Sequence, residues 1–102
     1  MDILMRIKWA VLTGRYRFTN KARIEMKIDD LTELDVAESI LNARDIYKKL
    51  RSTSPSRTKR REYLYVIRGT NLDGLVIYTK GKFAEAEGTE TYYFLVSSKR
   101  AM

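Results

Sequence analysis

Five residues near the ends of strand-like segments could do chemistry: Lys48, Tyr78, Lys80, Lys82 and Lys99. A sheet that gathers such positions holds ammonium groups and a phenol on a rigid mount. Lysines stabilise charge on a phosphate, and one whose pKa is lowered by neighbouring cations transfers protons. A tyrosine hydrogen-bonds or donates a proton, and its ring stacks on splayed RNA bases. Such a set meets the needs of RNA cleavage by its own 2′-hydroxyl. The hydroxyl must lose a proton, the five-coordinate phosphate must be stabilised, and the 5′ oxygen must gain a proton. Taken singly, each residue is better read as a polar strand end touching water.

Composition narrows the alternatives. The chain has no histidine, which removes the usual general base, the usual metal ligand and every Ser-His or Cys-His arrangement. A metal site is therefore not expected. It also has no cysteine, so disulfides and thiol chemistry are excluded, in keeping with a reducing cytoplasm. No apolar run is long enough to span a membrane, and the first residues lack a signal-peptide pattern. The net charge of +7 points to nucleic acid as partner, with an anionic membrane second. At 102 residues the chain reads as one domain, 1–102.

The elements that must position these residues fall into two blocks. Asp2 to Thr13 reads as a helix with Leu4, Ile7 and Val11 on one face, and Gly14 ends it. Trp9 reads as a core or helix-packing residue. Thr19 or Asn20 can cap a second helix, Lys21 to about Lys27, with Ala22, Ile24 and Met26 as its apolar content. Thr32 caps a third, with Asp35 placed for a capping box and Leu31 for a staple onto Val36. Leu34, Ala37, Ile40 and Leu41 are its expected buried stripe. Acids crowd its start (Asp29, Asp30, Glu33, Asp35, Glu38), where the helix dipole favours them. That leaves the rest of the molecule more basic than the net charge suggests.

After Arg44 the period changes. Asp45–Leu50 reads as a short strand and Glu62–Ile67 as an interior one, apolar on both faces. Asn71–Gly74 is a turn into Leu75–Lys80, which Gly81 closes. Gly81–Gly88 is then a connection, and Thr91–Lys99 the last strand. By alternation Tyr78 and Lys80 share a face, while Tyr93, Leu95 and Lys99 form another parity set. The expected fold is α+β, with N-terminal helices packed on a C-terminal three- to four-stranded antiparallel sheet. Between the first two strands, Arg51–Arg61 is a Ser/Pro-containing loop with Arg51, Arg57, Lys59, Arg60 and Arg61 and no acid. It can follow a phosphate backbone, with Lys80 and Lys82 adding to it, or simply be a solvated loop.

The ordered series Lys21-Ala22, Leu34 to Leu41, Asp45-Ile-Tyr-Lys48, Ser52, Glu62-Tyr-Leu-Tyr65, Ile77-Tyr-Thr-Lys80 and Val96-Ser-Ser-Lys99 resembles the MqsR family of toxins. That family belongs to the wider RelE-like fold of bacterial toxin–antitoxin ribonucleases. The resemblance runs from about Lys21 to Lys99, and no single motif in it is diagnostic. It implies a type II toxin in the cytoplasm, an endoribonuclease acting on mRNA (free or on the ribosome) without metal or cofactor. A cognate antitoxin protein would silence it. It also implies that Lys48, Tyr78 and Lys99 carry cleavage, with Lys48 or Lys99 stabilising phosphate and moving protons, and Tyr78 orienting or protonating the scissile region. The family's glutamine at the start of the middle strand has no counterpart, since Glu62 or Arg61 stands there. Two other readings fit the same residues: a catalytically inactive RelE-like module that binds RNA or protein, and a purely structural interaction protein.

Overall fold

A computed structural model describes residues 1–52, 62–86, 88 and 90–101. The order is α1 (Ile3–Leu12), β1 (Tyr16–Phe18), α2 (Asn20–Ile28), α3 (Glu33–Asn42), β2 (Lys48–Arg51), β3 (Tyr63–Thr70), β4 (Val76–Ala86) and β5 (Glu90–Arg100). Helices come first and most strands later, so the fold is α+β. The sheet, however, is five-stranded and mixed, in the order β1-β5-β4-β3-β2. Four strands are antiparallel neighbours, and β1 runs parallel to β5, with Tyr16 opposite Tyr93 and Phe18 opposite Leu95. The expectation of a purely antiparallel sheet with no strand among the first forty residues is thereby corrected. Three residues between two helices are too few to show a two-residue alternation, so β1 is defined by its partner rather than by its own pattern.

Local signals set the helix ends. Asp2 accepts from Met5 N at 2.8 Å and caps α1. At its other end Gly14 N–H donates to Val11 O and Arg15 N–H to Ala10 O, with Gly14 at φ +75°. This double return is a Schellman stop, which needs a left-handed residue at that position. Helix α2 ends in the same way around Asp30, at φ +57°, with bonds to Lys27 O and Met26 O. Helix α3 has the full capping box: Asp35 N–H donates to Thr32 Oγ1, and Thr32 N–H to Asp35 Oδ2.

Helices α1 and α3 cover one face of the sheet. Ile7, Ala10, Val11, Val36 and Ile40 join Tyr65, Ile67, Ile77, Tyr93 and Leu95 in one buried cluster. Helix α3 lies so close to β3 that a Cβ on Gly69 would fall 1.8 Å from the Ser39 carbonyl oxygen. Two side-chain assignments change. Leu34 is 66% exposed, and Val36 and Ser39 are buried with Ile40 instead, because the capping box turns the α3 start outward. Trp9 is 58% exposed: Ile7, Ala10 and Val11 define the packed face of α1, and residue 9 falls outside it. Ile24 likewise points outward from α2.

The strands hold the third difference. β4 does not stop at Gly81 but continues to Ala86, so most of the expected connection is strand. Pairing with β5 shifts between Lys80, opposite Ser97, and Gly81, opposite Leu95. Val96 is therefore an extra residue on β5, a β-bulge. It reverses the side-chain alternation beyond it. Tyr93 and Leu95 stay in the core, while Lys99 emerges on the opposite face, against the shared parity expected from simple counting.

Helix α2 holds this irregular stretch. Thr19, its N-cap, accepts from Ala22 N–H, donates its hydroxyl to Val96 O and its N–H to Leu95 O. Six residues on, Glu25 accepts from Ser97 Oγ at 2.7 Å and Ser98 N at 3.0 Å. Asp29 accepts from Arg100 N at 2.8 Å. Where β1 no longer pairs with β5, the carboxylates of α2 take the strand's outward N–H groups. An otherwise open edge is covered. Burial raises the Glu25 pKa, but the Ser97 hydroxyl, the Ser98 N–H and Lys21 outweigh it and hold the carboxyl below its ordinary value.

Three stability measurements follow from these contacts. Thr32→Ala should cost about 1 kcal/mol in chemical denaturation through loss of the α3 cap; no change would mean that the box contributes nothing. Tyr93 is fully buried, its hydroxyl has no hydrogen-bond partner among the described residues, and burial pushes its phenol pKa far up. Tyr93→Phe should therefore leave stability unchanged or raise it by about 1 kcal/mol. A clear loss would reveal a hidden partner. Glu25 is favoured as the folded-state carboxylate, so its contribution is complete above its ordinary value of 4.5 and lost as pH falls through the lowered folded value. Glu25→Gln should cost about 1–2 kcal/mol at pH 7, with the deficit shrinking in acid. A deficit independent of pH would assign the effect to packing.

Candidate nucleic-acid interface

Helices α1 and α3 pack on the face of Ile67, Ile77 and Leu95. On the second face of the sheet Val66, Ser97 and Tyr92 are also buried, while Lys48, Arg68 and Lys99 are exposed. Its side chains follow from register, because directly opposed residues share a face. Arg68 on β3 stands opposite Tyr78 on β4, and Tyr78 opposite Lys99 on β5. Two residues along lies a second row, Lys48 opposite Val66, Val66 opposite Lys80, and Lys80 opposite Ser97. Lys48, Tyr78, Lys80 and Lys99 thus all occupy the open face.

The first row is the more organised. Lys99 Nζ lies 5.5 Å from the centre of the Tyr78 ring. The Arg68 guanidinium lies 5.2 Å from the centre of the Tyr47 ring, which precedes β2. From Tyr47, just before β2, across β3, β4 and β5 the order is aromatic, cation, aromatic, cation. These residues line a shallow cleft of about 270 Å³, bounded at one end by Arg100 and Ala101. Arg100 is fixed there by its N–H to Asp29 Oδ2 and its Nε to Asp29 O. No described carboxylate forms an ion pair with Lys48, Arg68, Lys80 or Lys99.

Lys48 is not part of the cleft. Two strand spacings and two residues of rise put its Cα roughly 12 Å from that of Tyr78. The structure therefore brings Tyr78 and Lys99 together, and leaves Lys48 on the same face but farther out. Lys82, also on this face, donates to the buried carboxylate of Glu62 at 3.1 Å, so its charge is paired. Arg51 belongs to β2 rather than to a loop, and its register opposite Tyr63 places it on the other face. Arg57, Lys59, Arg60 and Arg61 lie outside the described residues.

Tyr47 and Arg68 are the residues that sequence reasoning passed over. Arg68 had a signal: it is the lone cation in an apolar strand, two residues after Val66 and hence on the same face as it. Tyr47 falls inside the expected strand Asp45–Leu50, where alternation puts it on the face opposite Lys48; the strand begins at Lys48 instead, so Tyr47 is not bound by that alternation. Farther along the same face, Arg17 lies over the Tyr92 ring at 4.3 Å, next to Phe94 in register. The face as a whole presents cations interleaved with aromatic rings. Cations can pair with phosphates and aromatic rings can stack on bases, the combination that binding of single-stranded nucleic acid uses.

Compared with known proteins, the chain matches no protein-family model, no curated protein and no solved structure.

Proposed function

We propose that this protein is a metal-independent endoribonuclease of the RelE-like toxin kind, acting on mRNA and neutralised by a cognate antitoxin. The observation that carries this reading is the Tyr78–Lys99 pair, opposed across β4 and β5 on an open basic face beside Arg68. The ordered likeness to MqsR-family segments gives the pair its assignment to cleavage. In the proposed reaction the RNA backbone crosses the cleft with a phosphate between Lys99 and Arg68. Both cations stabilise charge on the five-coordinate phosphate, where preorganised donors act most strongly. The attacking 2′-hydroxyl releases its proton to solvent, and its oxygen forms the new bond to phosphorus. The bond from phosphorus to the 5′ oxygen breaks, and the Tyr78 phenol supplies the proton that this oxygen takes up. The products are a 2′,3′-cyclic phosphate and a free 5′-hydroxyl. Lys48 and Lys80 contact neighbouring phosphates, and Tyr47 stacks on a base.

A second reading, an inactive module that binds RNA, draws on Glu62. Its carboxylate is buried and holds Lys82, where the family it resembles has glutamine. The paired lysine is withdrawn from phosphate binding, while the rest of the basic face remains.

RNA incubated with the protein in excess chelator separates the two. The wild type should yield cyclic-phosphate ends, and the all-deoxy strand of the same sequence should stay intact. Tyr78→Phe and Lys99→Ala should each lower the cleavage rate about a hundredfold at unchanged stability. Lys48→Ala should mainly weaken binding and reduce the salt slope by about 0.7. Salt-dependent RNA binding without cleavage by the wild type would establish the inactive module, and undiminished cleavage by both cleft variants would move the site elsewhere.

A further inference from the structure

Helix α1 has a second apolar face that its own fold does not use. Ile7, Ala10 and Val11 pack inward, yet Met5, Trp9 and Leu12 are 51%, 58% and 63% exposed. Their spacing, four residues and then three, puts them in one stripe down the outward side of the helix. Met1, also exposed, extends it. Apolar side chains scattered over a surface need no explanation, but a contiguous stripe of this kind marks an interaction surface. A shallow hollow of about 140 Å³ opens beside Trp9, lined also by Arg6, Thr13, Arg15 and Phe83.

The charges bordering the stripe say what covers it. Arg6 and Lys8 flank it on the helix, and Arg15 follows its C-terminal end. Arg6 rests on the Phe83 ring at 4.6 Å, and Lys8 is held by the Ala43 carbonyl, so both cations are fixed in place. The acid on this helix, Asp2, is occupied as its N-cap. A second copy of the chain would bring like charges together across a small contact, which disfavours self-pairing. An amphipathic helix with acids beside its apolar positions meets both the stripe and its borders.

We infer that the outward face of α1 docks an acidic amphipathic helix of a partner protein. The helix lays apolar residues at i, i+3, i+4 and i+7 against Met5, Trp9 and Leu12 and directs its carboxylates to Arg6, Lys8 and Arg15. Helix α1 packs on the sheet face opposite Tyr78 and Lys99, so docking leaves the basic cleft open. The surface therefore serves attachment and is independent of the RNA reading.

Trp9 is the only tryptophan in the chain and reports directly on the site. The probe is a helical peptide with leucines at i, i+3, i+4 and i+7 flanked by glutamates, beside a control in which lysines replace the glutamates. The acidic peptide should shift Trp9 emission to the blue with saturation, and added salt should weaken it. The lysine peptide should bind at least tenfold more weakly. Met5→Glu and Leu12→Glu change exposed positions, and each should weaken the acidic peptide at least tenfold without altering the fold. Lys99→Ala should leave peptide binding unchanged, whatever it does to RNA. No shift at millimolar acidic peptide would overturn the inference, as would equal binding of both peptides. A blue shift that grows with protein concentration alone would instead make a second copy the occupant. A shift produced by anionic vesicles and not by the acidic peptide would make it a membrane surface.

Discussion

One extra residue decides which side of the sheet Lys99 occupies. Without Val96 as a bulge, the strict alternation of β5 would carry Lys99 to the face of Tyr93 and Leu95, both wholly buried. An ammonium group there would have to leave the core or lose its charge. The bulge costs regular pairing at one point, and what holds it is visible on both sides. On β4 the opposing position is Gly81, where a Cβ would fall 2.5 Å from the Tyr93 ring. The Tyr93 ring fills the space over that backbone and meets Phe83 edge-on at 5.2 Å. Core packing and strand irregularity are thus one arrangement, and it faces away from the site it makes.

The outer side of β5 depends on α2. A strand end that leaves its partner exposes N–H groups able to recruit another chain. Here Glu25 and Asp29, one helical turn apart, receive Ser98 and Arg100 N–H, and Thr19 anchors the bulge itself. Asp29 also fixes Arg100 at the end of the cleft. Helix α2 therefore both fills the edge and holds β5, the strand of Lys99, in place. Site geometry and edge protection come from the same three side chains.

Much of this was legible in the sequence, and what was not has a common cause. Helix ends could be read because their signals are local: Gly14 as a stop, Thr32 with Asp35 as a box. Tyr78 was readable as a strand residue beside a lysine-bearing partner. The failures involve distant partners. β1 has three residues and exists by pairing with a strand some seventy-five positions later. The bulge at Val96 leaves no mark in Tyr-Phe-Leu-Val-Ser-Ser, because it answers to Gly81 and Thr19 rather than to its neighbours. Parity counted across it then fails for every later residue, Lys99 included. Arg68 escaped because an isolated cation in an apolar strand acquires meaning only when Tyr47 and Tyr78 stand on either side.

The distribution of acids completes the account of the open face. Asp2 and Asp35 cap helices, Glu25 and Asp29 cover the β5 edge, and Glu38 accepts Leu72 N–H at the turn before β4. Glu33 pairs with Arg23. Each is drawn to the helix layer or the sheet edge by a backbone donor or a cation fixed there. On the open face, among the described residues, a carboxylate ion pair forms only between Glu62 and Lys82. Among the described residues, no carboxylate pairs with Lys48, Arg68, Lys80 or Lys99. Like charges gathered on one face repel one another, and that cost is the electrostatic basis of the proposed nucleic-acid reading. The structural work given to Asp2, Glu25, Asp29, Glu33, Asp35 and Glu38 therefore keeps these six acids away from the face that Lys48, Arg68, Lys80 and Lys99 share.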